Sequence, residues 1–292
     1  MTTIKKDSLT FKIIVFLSII RWYNILLTAI AQYLAAFFIF NQWYSRWQIL
    51  TDIKLHIIVI CTSIFIAAGY LINFFYDKET DLINYPKRTR LFLHLNKNFL
   101  INSYFFLIII GLILAFMASL KIGIYFFSFS FLVWLYSHKI KKIAYLREIT
   151  ATLLTLTSFF SITLHYALIE TDMFLYGWFI FFIILIREGI KDLEHTKGNA
   201  VYSYYSSSII NKPSFFLLLL KILALLAYIP IFVFYYIYQF KHNSIFFMIA
   251  ISFIMLAALF IIHQKYESKY AQISNNLLKI AIALSLLGMV WL

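Results

Sequence analysis

Apolar residues run along this chain in long stretches, and polar residues gather between them. Nine stretches stand out: residues 20–40, 53–75, 99–118, 122–137, 148–167, 172–190, 213–237, 244–263 and 275–292. A helix needs about 20 mostly apolar residues to cross the hydrocarbon core of a bilayer. The pattern therefore predicts nine transmembrane helices. Polar and apolar positions do not alternate, as they would along the strands of a membrane barrel. The predicted fold class is all-α: a polytopic membrane protein, a bundle of nine transmembrane helices forming one domain over residues 1–292.

Composition agrees with this pattern. The chain is 63% hydrophobic and 13% charged, against about 45–50% and about 25% in a soluble domain. Only three Pro and seven Gly interrupt its 292 residues. The one cysteine, Cys61, lies inside the second stretch, which excludes a disulfide framework or a cysteine metal site within the chain. The first stretch carries Arg21 and Asn24 and is read as a retained helix, since no cleavage site follows it.

The net charge of +13 would suit a nucleic-acid partner, but its distribution points to membrane orientation instead. Residues 1–19, 76–98, 138–147, 187–212 and 264–273 hold 18 of the 25 Lys and Arg. The alternate connections (41–52 with Lys54, 119–121, 168–171 and 238–243) hold four. Basic loops stay cytoplasmic, so the expected N-terminus is inside and the C-terminus outside an integral cell (inner) membrane. The two longest loops, following the second and sixth stretches, are then cytoplasmic. Any chemistry is expected on that face.

The second stretch ends in NFFYDKETD, residues 73–81. Positions four apart drift by only about 40° around a helix, so Asn73, Asp77 and Asp81 share one face if the helix continues. Two carboxylates and an amide oxygen suit a hard cation such as Mg²⁺, which keeps positions open for substrate phosphates. The chain goes on as Leu82-Ile83-Asn84-Tyr85-Pro86-Lys87-Arg88. Pro86 stops the helix, and two cations follow the acids, as a diphosphate site needs. Taken alone, the acids also fit a solvated helix end.

The extended stretch resembles the first signature of the UbiA-type intramembrane prenyltransferases, N-x-x-x-D-x-x-x-D followed by D-x-I-N-x-P-x-R. Here that is Asn73, Asp77, Asp81, Ile83, Asn84, Pro86 and Arg88. Residues 187–199, REGIKDLEHTKGN, resemble the second signature. The nearest form is that of the geranylgeranylglycerol-phosphate geranylgeranyltransferase-like branch, matched at Arg187, Glu188, Lys191, Asp192, Glu194 and Gly198. Glu188, Lys191, Asp192, His195 and Asn199 would lie on one helical stripe. The family pattern has Asp where this chain has His195 and Asn199, which makes the second metal site and turnover itself the points in question. LYSHKIK, Tyr136 to Lys141, resembles the family's Y-S-x-x-x-K, but Leu146-Arg147-Glu148 follows where the family often has Gly-Asn. RWYN, Arg21 to Asn24, resembles its R-x-x-N.

The resemblance implies Mg²⁺-dependent transfer of a prenyl group from a prenyl diphosphate to a lipophilic or phosphorylated acceptor. It implies metal ligation by Asn73, Asp77 and Asp81 with Glu188, Asp192 and Glu194, and catalytic roles for Asp77, Asp81 and Asp192. It implies diphosphate contacts from Arg88, Lys141, Lys191, Tyr136 and Asn24. The K-D-x-E form favours a glycerol hydroxyl as acceptor. An aromatic acceptor of quinone biosynthesis, a haem, or a homologue that lost turnover are the alternatives. A cation-coupled transporter would place polar residues at the midplane of several helices, whereas these acids cluster at helix ends. The many aromatics are expected mostly at the lipid face and interfaces, with Phe74, Phe75 and Tyr76 nearest the acids. His165 and the Ser and Thr near 150–161 are expected to serve packing.

Overall fold

The computed structural model describes residues 8–39, 44–166, 171–202, 206–239 and 243–291. Lys5, Lys6, Lys241 and residues 168–170, which enter the charge reading, lie outside the described residues. The helices in chain order are α1 (Leu9–Ile19), α2 (Trp22–Phe38), α3 (Arg46–Leu50), α4 (Ile53–Asn84), α5 (Pro86–Phe92), α6 (Lys97–Ala118), α7 (Leu120–His138) and α8 (Leu146–Phe160). They continue with α9 (Thr163–Tyr166), α10 (Thr171–Glu194), α11 (Thr196–Val201), α12 (Ser207–Ile210), α13 (Pro213–Tyr238), α14 (Ser244–Gln264) and α15 (Ser268–Gly288). The class is all-α, as the sequence predicts, and the chain is a multi-pass integral membrane protein.

The count of nine spans is not reproduced. Among the described residues, six helices are long and apolar enough to cross a membrane, and the bent pair α1 and α2 makes up to seven. The 148–167 stretch divides, because α8 ends at Phe160 and a turn at Ser161 and Ile162 leads into the four-residue α9. Its hydroxyls bond back onto the backbone: Thr155 to the Ala151 carbonyl at 2.8 Å, Thr157 to Leu153 at 2.8 Å and Ser161 to Ser158 at 3.0 Å. Such bonds compete with the helix ladder. The buried Gln32 takes up the slack, donating to the Ser158 carbonyl at 3.0 Å and to Ser161 Oγ at 2.9 Å. The 275–292 stretch instead starts early. α15 opens at Ser268, and Lys269, Gln272, Asn275, Asn276 and Lys279 leave it too polar to qualify as a span.

The chain folds as two compact units. The first comprises Met1–Ile30 and Asp52–Ile140. In it α4 packs on α6, α7 and α5. Phe65 and Phe126 stack at 4.9 Å in its interior, and Cys61 Sγ, fully buried, donates to the Gly111 carbonyl at 3.7 Å.

The second unit comprises Ala31–Thr51 and Lys141–Leu292. Here α10 packs on α13, α15 and α8. The buried Tyr176 donates to the Ser285 carbonyl at 2.5 Å. A Cβ at Gly288 would stand 2.3 Å from that hydroxyl, so this helix crossing requires glycine.

Candidate functional site

In the first unit α4 continues unbroken through Asn84, so Asn73, Asp77 and Asp81 share one face. All three are half-buried, while Lys78 and Glu79 on the other side are exposed. Asn73 Oδ1 accepts from Ser137 Oγ of α7 at 2.6 Å, which fixes the direction of the amide oxygen. Tyr85 ends the helix with its N–H on the Asp81 carbonyl at 2.8 Å. Pro86 opens α5, where its missing N–H costs nothing. Thr89 Oγ then donates to the Asp81 carbonyl at 3.0 Å, folding α5 back against the last turn of α4.

Cations gather at the same end. The chain bends by 56° between α1 and α2, and Arg21 sits at the bend with φ 52°. A left-handed conformation in a residue with a side chain costs of order 1–3 kcal/mol. Its guanidinium lies 5.0 Å over the Tyr70 ring, and Asn24 Nδ2 donates to the Tyr70 hydroxyl at 2.8 Å. Tyr70 is one turn before Asn73 on α4, so the bend brings RWYN to the acid-bearing helix. Arg88 sits 5.1 Å over the Phe92 ring. Burial, and then the charge of Arg21, pull the Arg88 pKa below its ordinary value, while Tyr23, Asp81 and Tyr85 oppose them. Two cations that repel each other beside a carboxylate are the electrostatics of an anion site. Tyr136, half-buried near the end of α7, belongs to this unit as well.

The second cluster is built differently. α10 ends at Glu194, and His195 caps the short α11, so the expected single stripe is interrupted at His195. Asn199 nevertheless meets Asp192, donating from Nδ2 to Oδ1 at 3.1 Å. Asp192 is 3% exposed. Its Oδ1 also pairs with Arg147, and its Oδ2 accepts from the Ser208 N–H at 3.0 Å, Ser208 Oγ at 2.8 Å and Ser207 Oγ at 3.3 Å. Glu188 is clamped by Arg187 and Lys191, each at 2.7 Å. Glu194 accepts from Asn275 Nδ2 at 2.6 Å. Lys141 is buried in the middle of a short 3-10 turn, Ile140–Lys142.

The two clusters differ in their fitness for a metal. The first offers carboxylates and an oriented amide oxygen on successive turns of one helix, a donor set suited to a hard cation. In the second, both oxygens of Glu188 and Asp192 and one of Glu194 are engaged by cations and hydrogen-bond donors. Among the described residues no three His, Cys, Asp or Glu side chains converge as a metal cage requires.

Sequence reasoning missed the partners of Asp192. Arg147 and the buried Glu148 come from the first turn of α8, and Ser207 and Ser208 from the start of α12. Ser207 Oγ lies 2.7 Å from Glu148 Oε1, and Arg147 lies 3.6 Å from the same oxygen. The departure Leu146-Arg147-Glu148 was the visible signal. It substitutes a charged pair at the position where the family pattern has two small or neutral residues.

No family model matches the chain. It is 28% identical over 261 residues to digeranylgeranylglyceryl phosphate synthase of Methanosphaera stadtmanae, covering 87% of this chain and 91% of that one. The namesake from Sulfolobus acidocaldarius is 27% identical over 197 residues, 64% of this chain and 66% of that one. Two solved structures share the fold. One, reported for digeranylgeranylglyceryl phosphate synthase in membranes, has a TM-score of 0.69 at 21% identity over 96% of this chain and 97% of that one. The other, a UbiA homologue from Archaeoglobus fulgidus bound to GPP and Mg²⁺, has a TM-score of 0.66 at 13% identity over 95% of this chain and all of that one.

Proposed function

We propose that this UbiA-type intramembrane prenyltransferase transfers a prenyl group from a prenyl diphosphate to the hydroxyl of a glycerol-phosphate lipid. The observation that carries the reading is the half-buried column of Asn73, Asp77 and Asp81, with Arg88 and Arg21 beside it. Relatives named digeranylgeranylglyceryl phosphate synthase support the acceptor class, and the GPP- and Mg²⁺-bound neighbour supports the donor and the metal.

Asn73, Asp77 and Asp81 would hold Mg²⁺, which when bound stabilises the charge of a departing diphosphate. Ser137 keeps the Asn73 oxygen turned toward that role. Arg88 neutralises phosphate oxygens, and Phe92 under its guanidinium limits where it can point. Asn24 and Tyr136 take diphosphate contacts in the same unit. The diphosphate roles of Lys141 and Lys191 rest on the resemblance alone. Asp192 we assign to holding Arg147, Ser207 and Ser208 in place, since a metal there would have to displace the Arg147 ion pair. The basic ends, and with them the acids, face the cytoplasm, and residues 1–292 act as one functional domain.

Calorimetry with a non-cleavable prenyl thiolodiphosphate tests the site without turnover. Binding should require Mg²⁺ and weaken about 100-fold or more in Asp77→Ala and Asp81→Ala. Metal-independent binding of equal strength in both variants would refute the assignment.

A further inference from the structure

One face of α15 makes it too polar for a span. The buried face is tied to its neighbours in the second unit: Ser274 Oγ donates to the Ala258 carbonyl of α14 at 2.9 Å, and Asn275 Nδ2 to Glu194 of α10 at 2.6 Å. The opposite face carries Lys269, Gln272, Asn276 and Lys279, all exposed. Steps of three and four residues keep them on one stripe. α15 itself contains no Asp or Glu. Past Lys279 the exposed positions turn apolar, at Ile280, Leu284 and Leu287. Depth separates this stripe from a solvated helix end. α14 is long and apolar enough to cross a membrane, and α15 runs antiparallel beside it. Ser274 meets Ala258, and a Cβ at Gly288 would stand 3.2 Å from Phe247 Cβ. Lys279, between those two contacts, is level with the middle of α14, Ser244–Gln264. An exposed charge at that level is costly in lipid and is functional by default. Lys279 leans toward the start of its helix, with Nζ on Asn276 Oδ1 at 3.1 Å, as a snorkelling lysine does. That bond leaves the amide hydrogens of Asn276 to donate elsewhere.

We propose that this face of α15 binds an anionic lipid of the bilayer, with Gln272, Asn276 and Lys279 on its phosphate and Ile280, Leu284 and Leu287 along its chains. Lys269, one turn nearer the helix start, adds its charge. The stripe offers N–H donors and positive charge with no carboxylate among them, which is the complement of a phosphodiester. A headgroup followed by hydrocarbon is also the order in which α15 presents polar and then apolar positions. A second copy of the chain fits less well. Two copies share one orientation in a bilayer, so a two-fold between them would bring like lysines together. The site involves α15 alone and is independent of prenyl transfer.

The test titrates the full chain in detergent with a phosphatidylglycerol and with a phosphatidylcholine of the same chains, and native mass spectrometry reads the bound lipid. The wild type should hold phosphatidylglycerol about 10-fold more tightly or better, given two lysines at the site. Lys279→Leu should lower that ratio by about 5-fold, and the double variant Gln272→Leu with Asn276→Leu should lower it as well. Lys54→Gln, which removes an exposed lysine of α4, should leave it unchanged and so separates the site from net charge. All four positions are exposed, and a wild-type thermal midpoint checks that each variant folds; if one α15 variant does not, the other decides. Equal binding of the two lipids by the wild type, an unchanged ratio in the folded α15 variants, or an equal loss in Lys54→Gln would each overturn the site. A dimer that dissociates in Lys279→Leu would overturn it in favour of a second copy.

Discussion

Asp77 and Asp192 both lie near the end of a long apolar helix, yet their neighbours differ. Asp77 sits half-buried on a face shared with Asn73 and Asp81. Asp192 is enclosed by Arg147, Asn199, Ser207 and Ser208. Replacing Asp77 by Ala should lower prenyl transfer by about 100-fold or more, since a ligand at developing charge is removed; chromatography of labelled product against a folded, monodisperse control reads this. Asn199 answers to a different test. Asn199→Asp restores the family's residue type but exchanges an N–H···O⁻ bond for two buried like charges. It should destabilise the protein by about 2 kcal/mol or more, visible as a lower thermal midpoint in detergent. A midpoint unchanged or raised would mean that Asp192 is not saturated as described.

At the scale of elements, the sequence made the first signature legible because its three residues and its stop signal are local. Period four on one helix and a proline after it determine the face and the turn without reference to the rest of the chain. The second signature was less legible. Its stripe breaks at His195, and the groups that satisfy Asp192 come from α8 and α12, so spacing within residues 187–199 could not reveal them. The break after α8 was hidden for the same reason. Its hydroxyl-rich sequence is compatible with a span, and the deciding group, Gln32, is distant in the chain. Gln32→Leu should remove one of the two side-chain donors on the Ser158 carbonyl and the tie to Ser161 Oγ, and cost about 1 kcal/mol, measurable as a lower thermal midpoint. Leucine at full stability would show that the turn at Ser161 forms without that tie.

For the whole molecule, hydrophobic run length identified the class, while its count of nine spans is not confirmed among the described residues. Run length registers apolar content alone; it misses a helix interrupted by its own hydroxyls and one that opens with polar turns, as α15 does. Orientation belongs to this scale. The charge distribution predicts a cytoplasmic N-terminus, and the fully buried Cys61 makes the chain suitable for cysteine labelling. A cysteine introduced at Thr2 should be shielded from a membrane-impermeant maleimide in intact cells, and one introduced beyond Leu292 should be labelled. The reverse pattern would invert the assignment of the acid-bearing ends. The central claim is the reaction itself. Purified protein in nanodiscs should convert labelled geranylgeranyl diphosphate and geranylgeranylglyceryl phosphate to a labelled double-chain lipid in the presence of Mg²⁺, with diphosphate released in equal amount and no product from Asp77→Ala. A folded wild type that releases no diphosphate and forms no labelled lipid would contradict the account.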